Sequence, residues 1–242
     1  MYEPYVKALE LPRQTPQAYP YTIPAVPSLA TLQFSTPVTF FVGENGSGKS
    51  TIIEAIAVAA GFNAEGGTKN YHFTTIDSTS ELADVLTIVR GTRRERNGYF
   101  LRAESFYTTA NYIEAGTYPT GETPEPMFVN NKRVHMQSHG EAFLGLVKDA
   151  SPGLFIFDEP ESALSPQRQL ALMVAMNELV NKQSQFIIAT HSPILLAYPG
   201  ATILELSDTG IEKAHYETLD HVTLTRDFLS DPNRYFDKLF AP

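Results

Sequence analysis

The sequence contains no cysteine, so disulfides and thiolate metal sites are excluded. It also lacks any run of about 18 apolar residues, and its start, MYEPYVKALE, has no basic region followed by an apolar segment. We therefore expect no transmembrane segment and a cytoplasmic location. There is no basic excess either: the formal net charge is -9, which argues against a surface coated with basic residues for nucleic acid.

The composition is that of a folded globular protein, with 43% hydrophobic and 19% charged residues among 242. We expect one domain over residues 1–242. The polar, irregular stretch at about 62–136, which includes a loop rich in Gly, Thr, Pro and Glu, is interpreted as an inserted lobe.

Continuous apolar strands separated by helices indicate an α/β fold with a mostly parallel sheet covered on both faces. The first strands, in the proline-rich segment before the first helix, are expected to be antiparallel. Strands are predicted at 29–34, 38–42, 85–89, 98–103, 154–157, 186–189 and 202–206, and helices at 50–60, 139–149 and 166–182, with a short one after 189.

The segment GENGSGKS follows the apolar strand VTFFV and opens the apolar helix STIIEAIAVAA. Such a loop presents backbone N–H groups and a helix N-terminus to phosphates, while its lysine reaches the outer phosphates and its serine can bind Mg²⁺. A chance glycine turn is the alternative. The predicted nucleotide-binding residues are Gly43, Glu44, Asn45, Gly46, Ser47, Gly48, Lys49, Ser50 and Thr51.

Two carboxylates follow the strand LFIF, at the edge of the sheet where open α/β folds bind ligands. Asp158 is predicted to hold Mg²⁺ together with Ser50, and Glu159 to polarise the attacking water as a general base. The alternative is that one or both acids only cap the loop before Pro160.

In this order the motifs resemble the ATP-binding-cassette (ABC) superfamily of ATPases. The phosphate loop, the acidic strand, SALS at 162–165 where the family has its D-loop, and His191 after FIIAT follow one another as in that family. The stretches FLRAESFY, QSHGE and ATHSPILLAYPG look most like small stand-alone bacterial AAA/ABC-like ATPases related to the heads of chromosome-maintenance and RecF-type proteins. The resemblance implies a P-loop NTPase core, ATP and Mg²⁺ as cofactors, and a head-to-tail homodimer around two ATP molecules.

By the same resemblance, Ser138, Gly140 and Glu141 contact the γ-phosphate of ATP bound to the opposite subunit. Ser138 with Glu141 is also a capping box, and the two interpretations are compatible. A capping box does not need Gly140, whereas close approach of a phosphate to the backbone does.

Three further positions are assigned through the family pattern. His191 is expected to sense the γ-phosphate, and Glu104 stands where many cassette ATPases have a glutamine that touches Mg²⁺ and water. Ser165 replaces the aspartate common in the D-loop. Tyr19 or Tyr21 is a candidate for stacking on adenine, although either could equally be part of the core.

Five of the ten arginines, at positions 90, 93, 94, 96 and 102, form a cluster in an otherwise acidic protein. A solvated or acid-paired surface is one interpretation, and contact with a nucleic-acid backbone is the other.

The leading hypothesis is a Mg²⁺-dependent ATPase, with Lys49, Glu159 and His191 as catalytic residues, which dimerises on ATP and acts on an unknown protein partner in DNA maintenance or defence. The alternative is the ATPase subunit of a membrane transporter, which the QSHGE and RAES stretches disfavour. A phosphate-loop kinase is disfavoured because Glu159 and His191 imply activation of water.

Overall fold

A computed structural model describes residues 2–14, 16–68, 81–95, 97–102, 128–129, 132–133 and 139–241. The strands among these residues are β1 (Val6–Glu10), β2 (Val38–Gly43), β3 (Thr87–Arg90), β4 (Gly98–Arg102), β5 (Phe128–Val129), β6 (Lys132–Arg133), β7 (Leu154–Asp158), β8 (Gln185–Ala189), β9 (Thr202–Ser207) and β10 (Gly210–Ala214). The α-helices are α1 (Lys49–Ala59), α2 (Glu81–Val85), α3 (His139–Lys148), α4 (Pro166–Asn181), α5 (Pro193–Leu196), α6 (Asp220–Ser230) and α7 (Pro232–Leu239). Short 3-10 helices span Val26–Thr31, Pro160–Ala163 and Tyr216–Thr218.

The main sheet has the strand order β10-β9-β2-β8-β7-β4, in which all neighbours are parallel except β10 and β9. Its inner strands β7 and β8 are buried along their whole length, as expected from their apolar runs LFIF and FIIA. A separate antiparallel pair, β1 with β3, lies outside this sheet. The predicted α/β fold is therefore confirmed.

Helices cover both faces of the sheet, because successive side chains of a strand point in opposite directions. Phe41 belongs to the core under α1, with Ile52 and Ile56. Its neighbour Phe40 belongs to the opposite core, where side chains of α3 and α4 such as Phe143 pack. This arrangement places β2, β7 and β8 between two apolar layers.

The parallel register brings three loops to one edge of the sheet. Phe41 of β2 and Asp158 of β7 both pair with Ala189 of β8. The loops that follow these strands begin with Glu44, Glu159 and Thr190, so the phosphate loop, the acidic pair and His191 share this edge.

Two predicted strands differ from the structure. The strand predicted at 29–34 does not form: residues 29–31 are the end of the 3-10 helix Val26–Thr31, and Gln33 makes an isolated bridge to Ala8. Pro27, in the first turn of that helix, has a fixed φ angle and no N–H to donate, which suits a helix start. Residues 85–89 are divided between the end of α2 and β3. The elements after residue 207, which are β10, α6 and α7, were not predicted.

Two strands of the expected lobe, at about 62–136, pair outside that range: β3 with β1, and β4 with β7 at the edge of the main sheet. Most other residues of the range lie outside the described part of the chain, so its boundaries stay a prediction. Among the helices that the structure describes, none is long and apolar enough to cross a membrane.

Candidate functional site

The loop between β2 and α1 is shaped by glycines in conformations that L side chains rarely adopt. Gly48 is the N-cap of α1 with φ 96°. A Cβ at this position would lie 2.6 Å from Cγ2 of Ile23, so a larger residue would be both strained and obstructed. The loop therefore leads directly into the N-terminus of α1, where free backbone N–H groups favour an anion.

Lys49 is buried within this loop, at 4% exposure. Its Nζ donates hydrogen bonds to the carbonyl oxygens of Gly43 and Glu44, both at 2.9 Å. Burial lowers the pKa of Lys49, and the nearby carboxylates of Glu159 and Asp158 oppose that shift. The ammonium group is thus bound to the loop carbonyls, and the negative charges of Glu159 and Asp158 lie near it.

Ser50 and Asp158 meet although 108 residues separate them, with the Ser50 hydroxyl donating to Oδ1 of Asp158 at 3.2 Å. Asp158 is buried at the end of β7. A hydroxyl and a carboxylate are the hard oxygen donors that Mg²⁺ prefers, and Mg²⁺ is commonly held by one or two such groups together with substrate phosphates. These two residues fit that ion. Glu104, the third predicted metal ligand, lies outside the described residues.

Glu159 and His191 face each other at the same edge. Oε1 of Glu159 is 3.8 Å from Nε2 of His191, and both side chains are partly exposed. Burial and the charge of Lys49 lower the pKa of His191, while Glu159 raises it. Glu159 has the left-handed backbone angles φ 49° and ψ 54°, and its N–H donates to the carbonyl of Ala189 at 2.9 Å. A carboxylate suited to a general base is therefore fixed by its backbone beside an imidazole.

A cavity of about 350 Å³ lies between the phosphate loop and Glu159. One wall is Tyr19, whose hydroxyl is 3.1 Å from Oγ1 of Thr51. Tyr21 instead is buried and donates to the carbonyl of Glu81 at 3.0 Å, so of the two candidate tyrosines Tyr19 is the one at the cavity. The residues that line the cavity are Tyr19, Ile23, Asn45, Gly46, Gly48, Lys49, Ser50, Thr51 and Glu159.

The predicted signature residues lie elsewhere. Gly140 and Glu141 begin α3 and are not among the residues that line this cavity, and Ser138 lies outside the described part of the chain. Gly140 has a packing role within the chain, because a Cβ there would lie 2.7 Å from the carbonyl oxygen of Ala163. Glu141 forms an ion pair with Arg168 at 3.2 Å. The trans role of these residues remains a prediction.

Sequence reasoning missed two side chains that contact the segment around His191. Oε1 of Glu161 accepts a hydrogen bond from the backbone N–H of His191 at 2.6 Å. Gln169, which is buried, accepts one from the hydroxyl of Ser192. An acid directly after Pro160 was the available signal for Glu161, whereas nothing in the sequence singles out Gln169.

The arginine cluster is partly neutralised within the protein. Arg90 forms an ion pair with Glu95, and Arg102 forms one with Glu54 at 2.6 Å. Arg93 lies over the ring of Tyr5, whereas Arg94 is exposed. Acid pairing thus accounts for two of the five arginines, and position 96 lies outside the described residues.

Comparison with known protein families gives two matches. Residues 28–139 match the family described as "AAA domain", and residues 142–197 match the one described as "AAA domain, putative AbiEii toxin, Type IV TA system". No curated protein matches the chain. The two family matches confirm the resemblance to an AAA/ABC-like ATPase.

Solved structures with a similar fold include an SMC head bound to the C-winged helix domain of ScpA, with 16% identity and a TM-score of 0.44 over 76% of this chain and 91% of that one. The SMC head domain from Thermotoga maritima has 18% identity and a TM-score of 0.41, over 76% of this chain and 92% of that one. CbiO1 from Clostridium perfringens, part of the ABC transporter complex cbiONQ, has 14% identity and a TM-score of 0.45, over 94% of this chain and 97% of that one.

Proposed function

From the AAA-domain matches over residues 28–139 and 142–197, which support an ABC-like ATPase domain, we propose that this protein binds ATP with Mg²⁺ and hydrolyses it. The observation that carries the proposal is the 3.2 Å contact between Ser50 Oγ and Asp158 Oδ1. It joins the phosphate loop to the end of the acidic strand, so one site contains a phosphate cradle, a cation-binding oxygen pair and a carboxylate base.

Each group has a distinct task in this proposal. The loop N–H groups and Lys49 bind the β- and γ-phosphates, and Ser50 and Asp158, with Glu104 as a further candidate, hold Mg²⁺, which supplies neutralisation of phosphate charge when bound. Glu159 orients the attacking water and accepts its proton, a contribution of about 10²- to 10⁴-fold in rate. His191 contacts the γ-phosphate.

Hydrolysis of this kind would be coupled to association of two chains. Two chains would pack head to tail around two ATP molecules, with Ser138, Gly140 and Glu141 of one chain on the γ-phosphate held by the other. This dimer would act on a partner protein in DNA maintenance or defence, and the second family description, which includes a toxin of a type IV TA system, is in line with defence. A cytoplasmic location, where ATP is available, belongs to the same proposal.

Replacing Lys49 tests the site itself. Lys49→Ala is expected to abolish hydrolysis and to weaken ATP binding by about 10- to 10²-fold, because a charge-assisted contact to phosphate is lost. Calorimetric titration measures the affinity and phosphate release measures turnover. Lys182→Ala, an exposed lysine at the end of α4, is the matched control and should change neither quantity. If Lys49→Ala keeps both wild-type affinity and wild-type turnover, this site does not bind the nucleotide.

A further inference from the structure

Glu161 connects the loop after β7 to the loop after β8. Its own backbone lies in the 3-10 helix Pro160–Ala163, while Oε1 reaches across to the N–H of His191 at 2.6 Å. Oε2 is also buried, and no hydrogen-bond partner for it is found among the described residues. The carboxylate is thus enclosed, and its 2.6 Å contact fixes the backbone of His191.

Gln169 makes a second connection between the same two loops. Its Oε1 accepts from the hydroxyl of Ser192, and its Nε2 donates to the carbonyl of Leu164 at 3.1 Å. Ser192 in turn caps α5 by accepting from the N–H groups of Ile194 and Leu195, both at 3.2 Å. Because Gln169 and Ser192 are both more than nine-tenths buried, water does not compete for these contacts.

The two connections hold two consecutive residues, His191 and Ser192. Glu161 accepts a hydrogen bond from the backbone N–H of His191, and Gln169 accepts one from the hydroxyl of Ser192. Nε2 of the His191 ring lies 3.8 Å from Oε1 of Glu159. Breaking either connection leaves a polar group without its hydrogen-bond partner, which costs free energy. The surrounding loops can reduce that cost only by moving.

We propose that Glu161 and Gln169 are positioning residues, which lock residues 190–192 to residues 160–165 and thereby hold the imidazole of His191 beside Glu159. Neither side chain is among those that line the phosphate-loop cavity, and in this proposal their effect on catalysis passes through His191. The effect on catalysis rests on the proposed ATPase function, whereas the locking of the two segments does not.

Steady-state kinetics provides the first test. Glu161→Ala and Gln169→Leu are expected to lower kcat by about 10-fold or more with little change in the KM for ATP, as is typical when a supporting residue is lost. Glu161→Gln keeps an acceptor oxygen for the His191 N–H and should restore kcat to within about 3-fold of wild type. Gln185→Leu is the matched control: it removes a buried glutamine bonded to the backbone of Val6, at the opposite end of β8. It should keep the wild-type kcat; a loss equal to that of Gln169→Leu would overturn the role of Gln169.

A double-mutant cycle asks whether Glu161 acts through His191. In a His191→Ala background, adding Glu161→Ala should lower kcat by less than about 2-fold, because the group it positions is already absent. Multiplicative effects would overturn the proposal.

Amide hydrogen exchange separates this proposal from the proposed function. In Glu161→Ala the N–H of His191 should exchange at least about 10-fold faster than in wild type, and in Gln185→Leu at the wild-type rate. If His191→Ala hydrolyses ATP like wild type, the catalytic role of His191 fails, yet this exchange result still decides whether the two segments are locked. Unchanged exchange in Glu161→Ala would overturn the locking even in an active enzyme.

Discussion

Glu159 occupies a left-handed backbone conformation, at φ 49°, that costs an L residue about 1–2 kcal/mol and glycine almost nothing. Such strain is common where function constrains a residue. Glu159 is one of the residues that line the cavity at the phosphate loop, so this strain lies at the candidate site.

A stability comparison checks this strain. Glu159→Gly is expected to raise the free energy of unfolding by about 1 kcal/mol relative to Glu159→Ala, with hydrolysis lost in both. Urea unfolding gives the difference. Gln183, at φ 69° in the turn after α4, is the matched control. Gln183→Gly should exceed Gln183→Ala in free energy of unfolding by the same amount, and both should keep wild-type turnover. Equal stabilities of the two Glu159 variants would show that this backbone is unstrained in solution.

The buried carboxyl of Glu161 makes stability depend on pH. Burial raises its pKa above the ordinary 4.5, and hydrogen bonds from the His191 N–H and the Thr190 side chain reduce the shift. Between pH 4.5 and the pKa of the folded state, the folded chain therefore retains a proton that the unfolded chain has released. The free energy of unfolding consequently falls as pH rises through this window.

Glu161→Gln removes that titration. The stability of the variant relative to wild type should therefore be greater at pH 8 than at pH 5, as measured by urea unfolding at both values. His191 and His221, whose pKa values burial lowers, contribute stability that is lost as pH falls below 6.5, and both histidines are present in both proteins. A stability difference that is identical at the two pH values would contradict the raised pKa of Glu161.

At the scale of elements, β3 and β4 each end in one arginine of the cluster, Arg90 and Arg102, and the other three lie between these strands. The ion pairs that Arg90 and Arg102 form reduce the charge available to a nucleic acid, and Arg94 remains exposed. Contact with a phosphate backbone therefore remains a prediction.

The salt dependence of DNA binding tests this surface. With ATP present, changing the arginines at 90, 93, 94 and 96 to alanine should weaken binding and flatten the dependence of log affinity on log salt concentration, since each lost phosphate contact reduces the slope. A double Ala variant of Arg226 and Arg234, on the C-terminal helices α6 and α7, is the control. Equal binding by wild type and the quadruple variant at every salt concentration would leave the cluster a structural role only.

At the scale of the molecule, the trans role of the QSHGE stretch requires two chains. Glu159→Gln removes the base and should lower hydrolysis by about 10²-fold while ATP stays bound, so the variant should accumulate as an ATP-bound dimer in light scattering. Adding Ser138→Arg would place a bulky side chain at the neighbouring phosphate and should leave a monomer that still binds ATP.

The capping-box alternative gives a different result. Loss of the serine would then cost about 1 kcal/mol of stability and leave dimerisation unchanged. Ser230→Arg, on the exposed side of α6, is the matched control and should not affect the dimer. An ATP-dependent dimer that survives Ser138→Arg would remove the cross-subunit role from this helix start.

The sequence alone determined the features that local pattern specifies. A glycine-rich loop between an apolar strand and an apolar helix is a contiguous signal, and so is an acidic pair after a continuous apolar run. The two together predicted the fold class and that the loop and the acidic pair lie at one edge of the sheet. The 3-10 helix at 26–31 was missed because strand patterning competed there with the backbone restriction of proline.

Only the tertiary structure decided which distant residues meet. It separated Tyr19 at the cavity from Tyr21 in the core, placed β4 in the main sheet, and brought Glu161 to the N–H of His191 across 30 residues of sequence. It also gave Gly140 a packing contact with Ala163 that no local pattern contains. Such contacts depend on strand order and on the packing of helices over the sheet, and these are set by the simultaneous burial of side chains from the whole chain.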